Sequence, residues 1–184
     1  DAVIHTAGLV DLTADTARTY NAHIVATARL IAAARISKRC RFLVGTSSVG
    51  AITSPHIADR SQLNLPADFI PPEMEGGRQP LAYPFFCAYS STKFFSERMM
   101  LSANETGEAK CFKTLAIRLP MIFGLQDPMV VSPLFKGQRG RVPDGKGALV
   151  QFVYVENAAA MHVHALLALC EEASTIDNTT TISG

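Results

Sequence analysis

At 184 residues, the chain has room for one domain, or for one domain and part of a second. Hydrophobic residues make up 48% and charged residues 18%, the balance of a globular protein with a sizeable core. A formal net charge of +1 argues against nucleic acid or another polyanion as partner, and no window approaches the roughly 18 apolar residues that a membrane span needs.

The predicted elements begin with a short apolar run, Ala2-Val3-Ile4-His5-Thr6-Ala7, which ends at Gly8 and suits a buried parallel strand. A long helix is expected over residues 13–35, with Ile24, Ala28, Ile31 and Ala32 as its apolar stripe. The cluster Lys38-Arg39-Cys40-Arg41 sits at its exit, where solvated positive charge is favourable. A second strand, residues 41–46, runs into the small residues Ser47-Ser48-Val49-Gly50. A loop-rich stretch over residues 53–84 is marked by Pro55, Pro66, Pro71-Pro72, Gly76-Gly77 and Pro80, and loops of such length are usually functional.

A helix over residues 86–103 and a strand over residues 113–118 come next, with Pro120 and Gly124 bounding a turn. Residues 136–147 are irregular and glycine-rich, residues 149–155 read as a strand, residues 156–169 as a helix and residues 179–182 as a last strand. Strands alternating with helices predict an α/β fold with a mostly parallel sheet. The cysteines Cys40, Cys87, Cys111 and Cys170 lie far apart without metal-ligand spacing, which fits free thiols in a reducing compartment.

In such a sheet, chemistry gathers at the carboxyl ends of the strands. Three features fall there: Gly45-Thr46-Ser47-Ser48, then Tyr89-Ser90-Ser91-Thr92-Lys93, then the turn from Arg118 through Pro120, Met121 and Ile122 to Gly124. Tyr89 and Lys93 are four residues apart, so on a helix they share a face. A free tyrosine, with a pKa of about 10, is a poor acid or base at neutral pH. A neighbouring ammonium favours the phenolate and brings that pKa toward the working range. A hydroxyl such as Ser48 could then orient a carbonyl or alcohol beside the phenol. The pair alone is a weak signal, and its weight comes from the order of the three features.

Those segments, together with the opening Asp1-Ala2-Val3-Ile4-His5-Thr6-Ala7-Gly8 and Phe152-Val153-Tyr154-Val155-Glu156-Asn157-Ala158-Ala159, resemble the extended short-chain dehydrogenases/reductases of the epimerase/dehydratase superfamily. The nearest branch is that of the 3β-hydroxysteroid dehydrogenases and sterol-4-carboxylate 3-dehydrogenases. The resemblance spans nearly the whole chain and is weakest over residues 59–78. It implies a Rossmann-like, doubly wound sheet. Residues 1–124 would be the carboxyl-side part of the dinucleotide-binding domain, and residues 125–184 a partial substrate-binding region with one returning strand-helix-strand unit.

The resemblance further implies NAD or NADP as cofactor and a small apolar alcohol or ketone, steroid-like, as substrate. Tyr89 would be the general acid/base, and Lys93 would lower its pKa and hydrogen-bond the nicotinamide ribose. Ser48, rather than Ser47, would bind the substrate oxygen. His5, Thr6, Ala7 and Gly8 would line the adenosine and ribose side, and Pro120, Met121 and Ile122 would flank the nicotinamide; the other reading of those three is a strand exit packed on the core. Phe85, Phe86 and Met129 are candidate pocket walls. A homodimer through the Tyr89 helix and an intracellular site, cytoplasmic or peripherally membrane-associated, complete the expectation.

Three departures stand out. His23 occupies a position where the family usually has an asparagine that helps hold a water of the proton relay. His23 could replace it through a ring nitrogen, Asn21 could serve from two residues away, or His23 could be an ordinary hydrogen-bonded helix residue. No glycine-rich fingerprint follows a leading strand, and no ribose-binding acid lies about 20 residues beyond one. The chain also stops at Ile182-Ser183-Gly184, where the family continues, so a central fragment without the first βαβ portion is expected.

The expected activity is hydride transfer between nicotinamide and a secondary alcohol or ketone, a 3β-hydroxysteroid or sterol. The alternatives are a non-catalytic dehydrogenase-like structural or assembly subunit, and a sugar-nucleotide epimerase/dehydratase. A serine hydrolase is excluded because Gly45-Thr46-Ser47-Ser48-Val49-Gly50 misses the Gly-x-Ser-x-Gly spacing. No metal is expected: His162 and His164, two apart, point to different faces of a helix.

Overall fold

The computed structural model describes residues 1–10, 16–37, 39–51, 88–105, 112–125, 127 and 151–182. The expected loops over 53–84 and 136–147, and the residues Phe85, Phe86, Met129, Cys87 and Cys111, lie outside the described residues.

Strands β1 (Ala2–His5), β2 (Phe42–Ser48) and β3 (Lys113–Leu119) form a parallel sheet in the order β1-β2-β3. The register sets His5 opposite Gly45 and Ser48 opposite Leu119, so all three strands end on one side of the molecule. Pro120 follows Leu119; a proline cannot donate to a ladder. The chain resumes as β4 (Met121–Phe123), which pairs in parallel with β5 (Phe152–Tyr154) in a separate two-stranded sheet.

Successive strand residues face opposite sides, and β2 uses both. Leu43 packs with Ile31, Ala34, Met100, Ala103 and Phe112 on one face. Phe42 and Val44 pack with Leu169 and Ala173 on the other. Burial on both faces requires continuous hydrophobicity, and the run Phe42-Leu43-Val44 supplies it. The α/β, partially Rossmann-like architecture is the one the sequence predicts.

One face is covered by a long helical segment and by α3. The segment comprises α1 (Thr16–Tyr20), a wide π turn (Asn21–Val25) and α2 (Ala26–Ile36). Its buried side differs from the expected stripe. Ile31 is buried, but Ala28 and Ala32 are exposed and Ile24 is half-buried. The inward residues are Thr19, His23, Thr27, Ile31 and Ala34. The π turn changes the helical phase, and polar side chains tolerate burial where they find partners. Thr27 meets Ser96 of α3, and His23 meets Thr92 of α3.

Helix α3 (Ala88–Ser102) turns Ser90, Thr92, Lys93, Phe94, Ser96, Glu97 and Met100 inward. It lies close to β2 because Gly45 offers bare backbone: a Cβ there would sit 2.2 Å from Met100 Sδ. Helix α4 (Val155–Ile182) covers the opposite face.

Residues 179–182 continue α4 and do not form the last strand expected of them. The run Thr179-Thr180-Thr181-Ile182 has strand propensity, but no glycine or proline stops the helix before it. The hydroxyls of Ser174 and Thr175 return to the carbonyls of Cys170 and Glu171, a bonding pattern compatible with continued helix. Among the described residues, no helix is long and apolar enough to cross a membrane.

Candidate active site

The carboxyl end of β2 carries three consecutive hydroxyls, each directed differently. Thr46 Oγ1 lies 2.6 Å from His162 Nε2 of α4, whose Nδ1 donates to the Ala158 carbonyl. Ser47 turns to the other face and donates to Glu97 Oε2 at 2.5 Å. Ser48, the last strand residue, accepts the N–H of Gly50 at 3.1 Å.

Gly50 lies in a 3₁₀ turn, Val49–Ala51, and brings the end of β2 against the start of α3. A Cβ on Gly50 would lie 3.3 Å from Ser48 Oγ, 3.4 Å from Ser90 Oγ and 3.9 Å from Tyr89 Cε1. The predicted Ser48 and Tyr89 therefore flank the same glycine.

One turn along α3 from Tyr89, Lys93 is only 7% exposed and donates to the Thr46 carbonyl at 3.1 Å. Burial pushes its pKa down, because desolvation disfavours the ammonium. The ammonium also faces the exit of β1: a Cβ on Gly8 would come within 3.2 Å of Lys93 Nζ and 3.4 Å of His23 Nε2. Thr6, Ala7 and Gly8 are exposed. The His5 ring instead turns to Thr27 Oγ1 at 3.4 Å, and its pKa is lowered by burial and by the Lys93 charge.

His23 joins these groups. Only 2% exposed, it accepts the Leu9 N–H at Nε2 (3.1 Å) and meets Thr92 Oγ1 at Nδ1 (2.8 Å). Its ring stands edge-on to Tyr89, with centroids 5.5 Å apart and planes at 76°. Both ring nitrogens are thus engaged by protein, which leaves neither to hold a relay water. Asn21, the alternative, is exposed.

Pro120, Met121 and Ile122 leave the sheet beyond Leu119, on the side where Ser48 ends β2. Met121 is 46% and Ile122 38% exposed. His162 is buried and His164 exposed, the split their spacing predicts, and no cluster of metal-ligating residues occurs among the described residues.

Sequence reasoning missed the anchor beneath this site. Glu97, 2% exposed, receives Arg118 through both Nε and Nη2, and with Ser47 this ties α3 to β2 and β3. Glu97 follows Lys93 by four residues, so the spacing that paired Tyr89 with Lys93 could have found it. Thr92 gave no comparable signal.

The family model of the 3-beta hydroxysteroid dehydrogenase/isomerase family matches residues 1–182. Over 98 residues, half of this chain and 25% of the relative, it is 38% identical to a 2-alkyl-3-oxoalkanoate reductase of Shewanella oneidensis. Over another 98-residue match, covering 26% of the relative, it is 35% identical to a human sterol-4-alpha-carboxylate 3-dehydrogenase, decarboxylating. These alignments span about a quarter of the relatives' lengths.

Among solved structures, a UDP-galactose 4-epimerase matches 93% of this chain and 52% of its own, with a TM-score of 0.59 at 21% identity. A UDP-N-acetylglucosamine 4-epimerase from Methanobrevibacter ruminantium matches 89% and 50%, with a TM-score of 0.61 at 19% identity. These two likenesses are of fold. With the family model covering nearly all of its length, the chain belongs to the 3-beta hydroxysteroid dehydrogenase/isomerase family, among the extended short-chain dehydrogenases/reductases.

Proposed function

We propose that this chain carries the proton-handling part of an NAD(P)-dependent oxidoreductase acting between a secondary alcohol and a ketone. The observation that carries the reading is the setting of Lys93: a buried ammonium one turn from Tyr89, held at the strand end that also presents Ser48.

Dehydrogenases of this family use NAD or NADP, and the residues present fit the nicotinamide end of such a molecule. An ammonium has three donors, and Thr46 takes one. The absent Cβ of Gly8 leaves space beside Lys93 Nζ, and Thr6, Ala7 and Gly8 keep their backbone open. Lys93 and Tyr89 would hold the ribose, the 6–8 backbone would line the adenosine and ribose side, and Pro120, Met121 and Ile122 would flank the ring. When bound, the nicotinamide supplies or accepts the hydride.

The side chains handle the proton. In the reductive direction Tyr89 donates its phenolic proton to the substrate oxygen, and the Lys93 ammonium stabilises the phenolate left behind. In the oxidative direction the phenolate takes the proton back. Ser48 accepts from Gly50, so its own hydrogen is free to be donated to the substrate oxygen. Ser47 has committed its hydrogen to Glu97.

The names of the two relatives share one chemical relation: the reacting carbon stands next to the carbon that bears a carboxylate. A bulky, apolar 3-hydroxy or 3-oxo acid, sterol-derived or alkyl, is accordingly the substrate class proposed here. The test is to supply the intact protein with NADH or NADPH and a 2-alkyl-3-oxoalkanoate, and with NAD⁺ or NADP⁺ and a sterol-4-carboxylate. Cofactor-dependent turnover of at least one acid, and none of the same ketone or sterol lacking the carboxylate, is expected. Absence of both turnover and cofactor binding would overturn the proposal.

A further inference from the structure

His23 is buried among groups assigned to catalysis, yet the chemistry above does not use it. Its bonding defines its state. A backbone N–H can only donate, so the Leu9 N–H obliges Nε2 to accept. The proton of the neutral ring therefore rests on Nδ1, which donates to Thr92 Oγ1 at 2.8 Å. Thr92 passes its own hydrogen to the Ala88 carbonyl at 2.8 Å, closing the chain on the first turn of α3. Every donor and acceptor in this line agrees with one tautomer.

The line joins two segments far apart in sequence. At one end is the turn after β1, where Gly8 borders Lys93 Nζ and His23 Nε2. At the other is the turn of α3 that carries Tyr89, whose ring meets the His23 ring edge-on. The host segment is a π turn, a form that often marks functional positions. Among the described residues, the charged and titratable groups facing the ring are Lys93 and Tyr89 from α3 and His5 from β1; residues 6–10 bring none.

We infer that His23 is a positioning residue: a neutral Nδ1–H imidazole that locks the 6–10 turn to α3, and so fixes the cofactor-side backbone relative to Tyr89 and Lys93. Protonation would place a hydrogen on Nε2 against the Leu9 N–H and break the lock. Burial, and then the Lys93 charge, hold the pKa down to about 4, so the lock stays closed at neutral pH. The words cofactor and catalysis rest on the oxidoreductase reading; the lock itself does not.

The test has two arms. Long-range ¹⁵N–¹H spectra of the wild-type protein should show the Nδ1–H tautomer at His23, with a titration midpoint near 4. An Nε2–H tautomer, or a midpoint near the ordinary 6.5, would overturn the inference whether or not the protein is an oxidoreductase. In the kinetic arm, His23→Leu deprives Leu9 of its acceptor, and His23→Gln returns one. His23→Leu should raise the KM for the nicotinamide cofactor on the order of tenfold, the size expected for an orphaned donor, with a smaller effect on kcat. His23→Gln should recover most of that loss. An unchanged cofactor KM in a folded His23→Leu protein would contradict the positioning role.

Discussion

Ser47 and Ser48 are neighbours in sequence, but the pleat turns them to opposite faces and gives them opposite tasks. Ser47 is buried and spends its hydrogen on Glu97, a carboxylate that also holds Arg118. Ser48 accepts from Gly50 and retains a hydrogen to donate. Replacing each by alanine should therefore separate stability from activity. Ser47→Ala should lower stability by about 1–3 kcal/mol, the cost of weakening a buried charged acceptor, and leave kcat within a few-fold. Ser48→Ala should leave the melting temperature nearly unchanged and lower kcat/KM by roughly 10², the order for one lost donor to a reacting oxygen. Equal effects on both quantities in both variants would refute the division of labour. The expectation of Ser48 rather than Ser47 rests on the family resemblance; the bond that occupies Ser47 was not legible in the sequence, because Glu97 stands 50 residues away.

At the scale of elements, α3 is a ruled edge: Tyr89, Lys93 and Glu97 recur every four residues and turn toward the sheet end in succession. The depth at which it sits is set by Gly45 against Met100. Gly45→Ala should destabilise the fold by about 1–3 kcal/mol, as overpacking does. Met100→Val in the same chain should recover part of that loss, since residues in contact couple. A stable Gly45→Ala variant, with no effect of the second substitution, would show that α3 does not rest on that glycine.

The helical spacing that sets Tyr89 and Lys93 on one face failed as a guide to the segment Thr16–Ile36. Of the alanine and isoleucine stripe read there, Ala28 and Ala32 are exposed, Ile24 is half-buried and Ile31 is buried. Beside Ile31 and Ala34 the inner face carries Thr19, His23 and Thr27, of which His23 and Thr27 meet Thr92 and Ser96, each 69 residues away. Local hydrophobicity cannot register partners at that distance, nor the phase change of the π turn. The strand expected at 179–182 failed for a related reason: propensity is local, and uninterrupted helix upstream overrode it.

Over the whole molecule, the alternation of strand and helix was enough to predict a mostly parallel sheet, and its strand ends pointed to the candidate site. What the sequence could not supply was convergence: Ser48 from β2, Lys93 and Tyr89 from α3, His23 from the π turn and Gly8 from the segment after β1 meet through the register of β1, β2 and β3. On the proposed reading, that convergence would put proton handling at Tyr89 and the larger share of cofactor holding around Lys93 and Gly8. The division is tested most directly by Tyr89→Phe in the intact protein, measuring turnover and NAD(P)H affinity together. In that variant kcat should fall by about 10²–10⁴, the range for a lost general acid/base, while cofactor affinity stays within a few-fold of wild type. Wild-type turnover in that variant, or an unchanged kcat with lost cofactor affinity, would contradict that division.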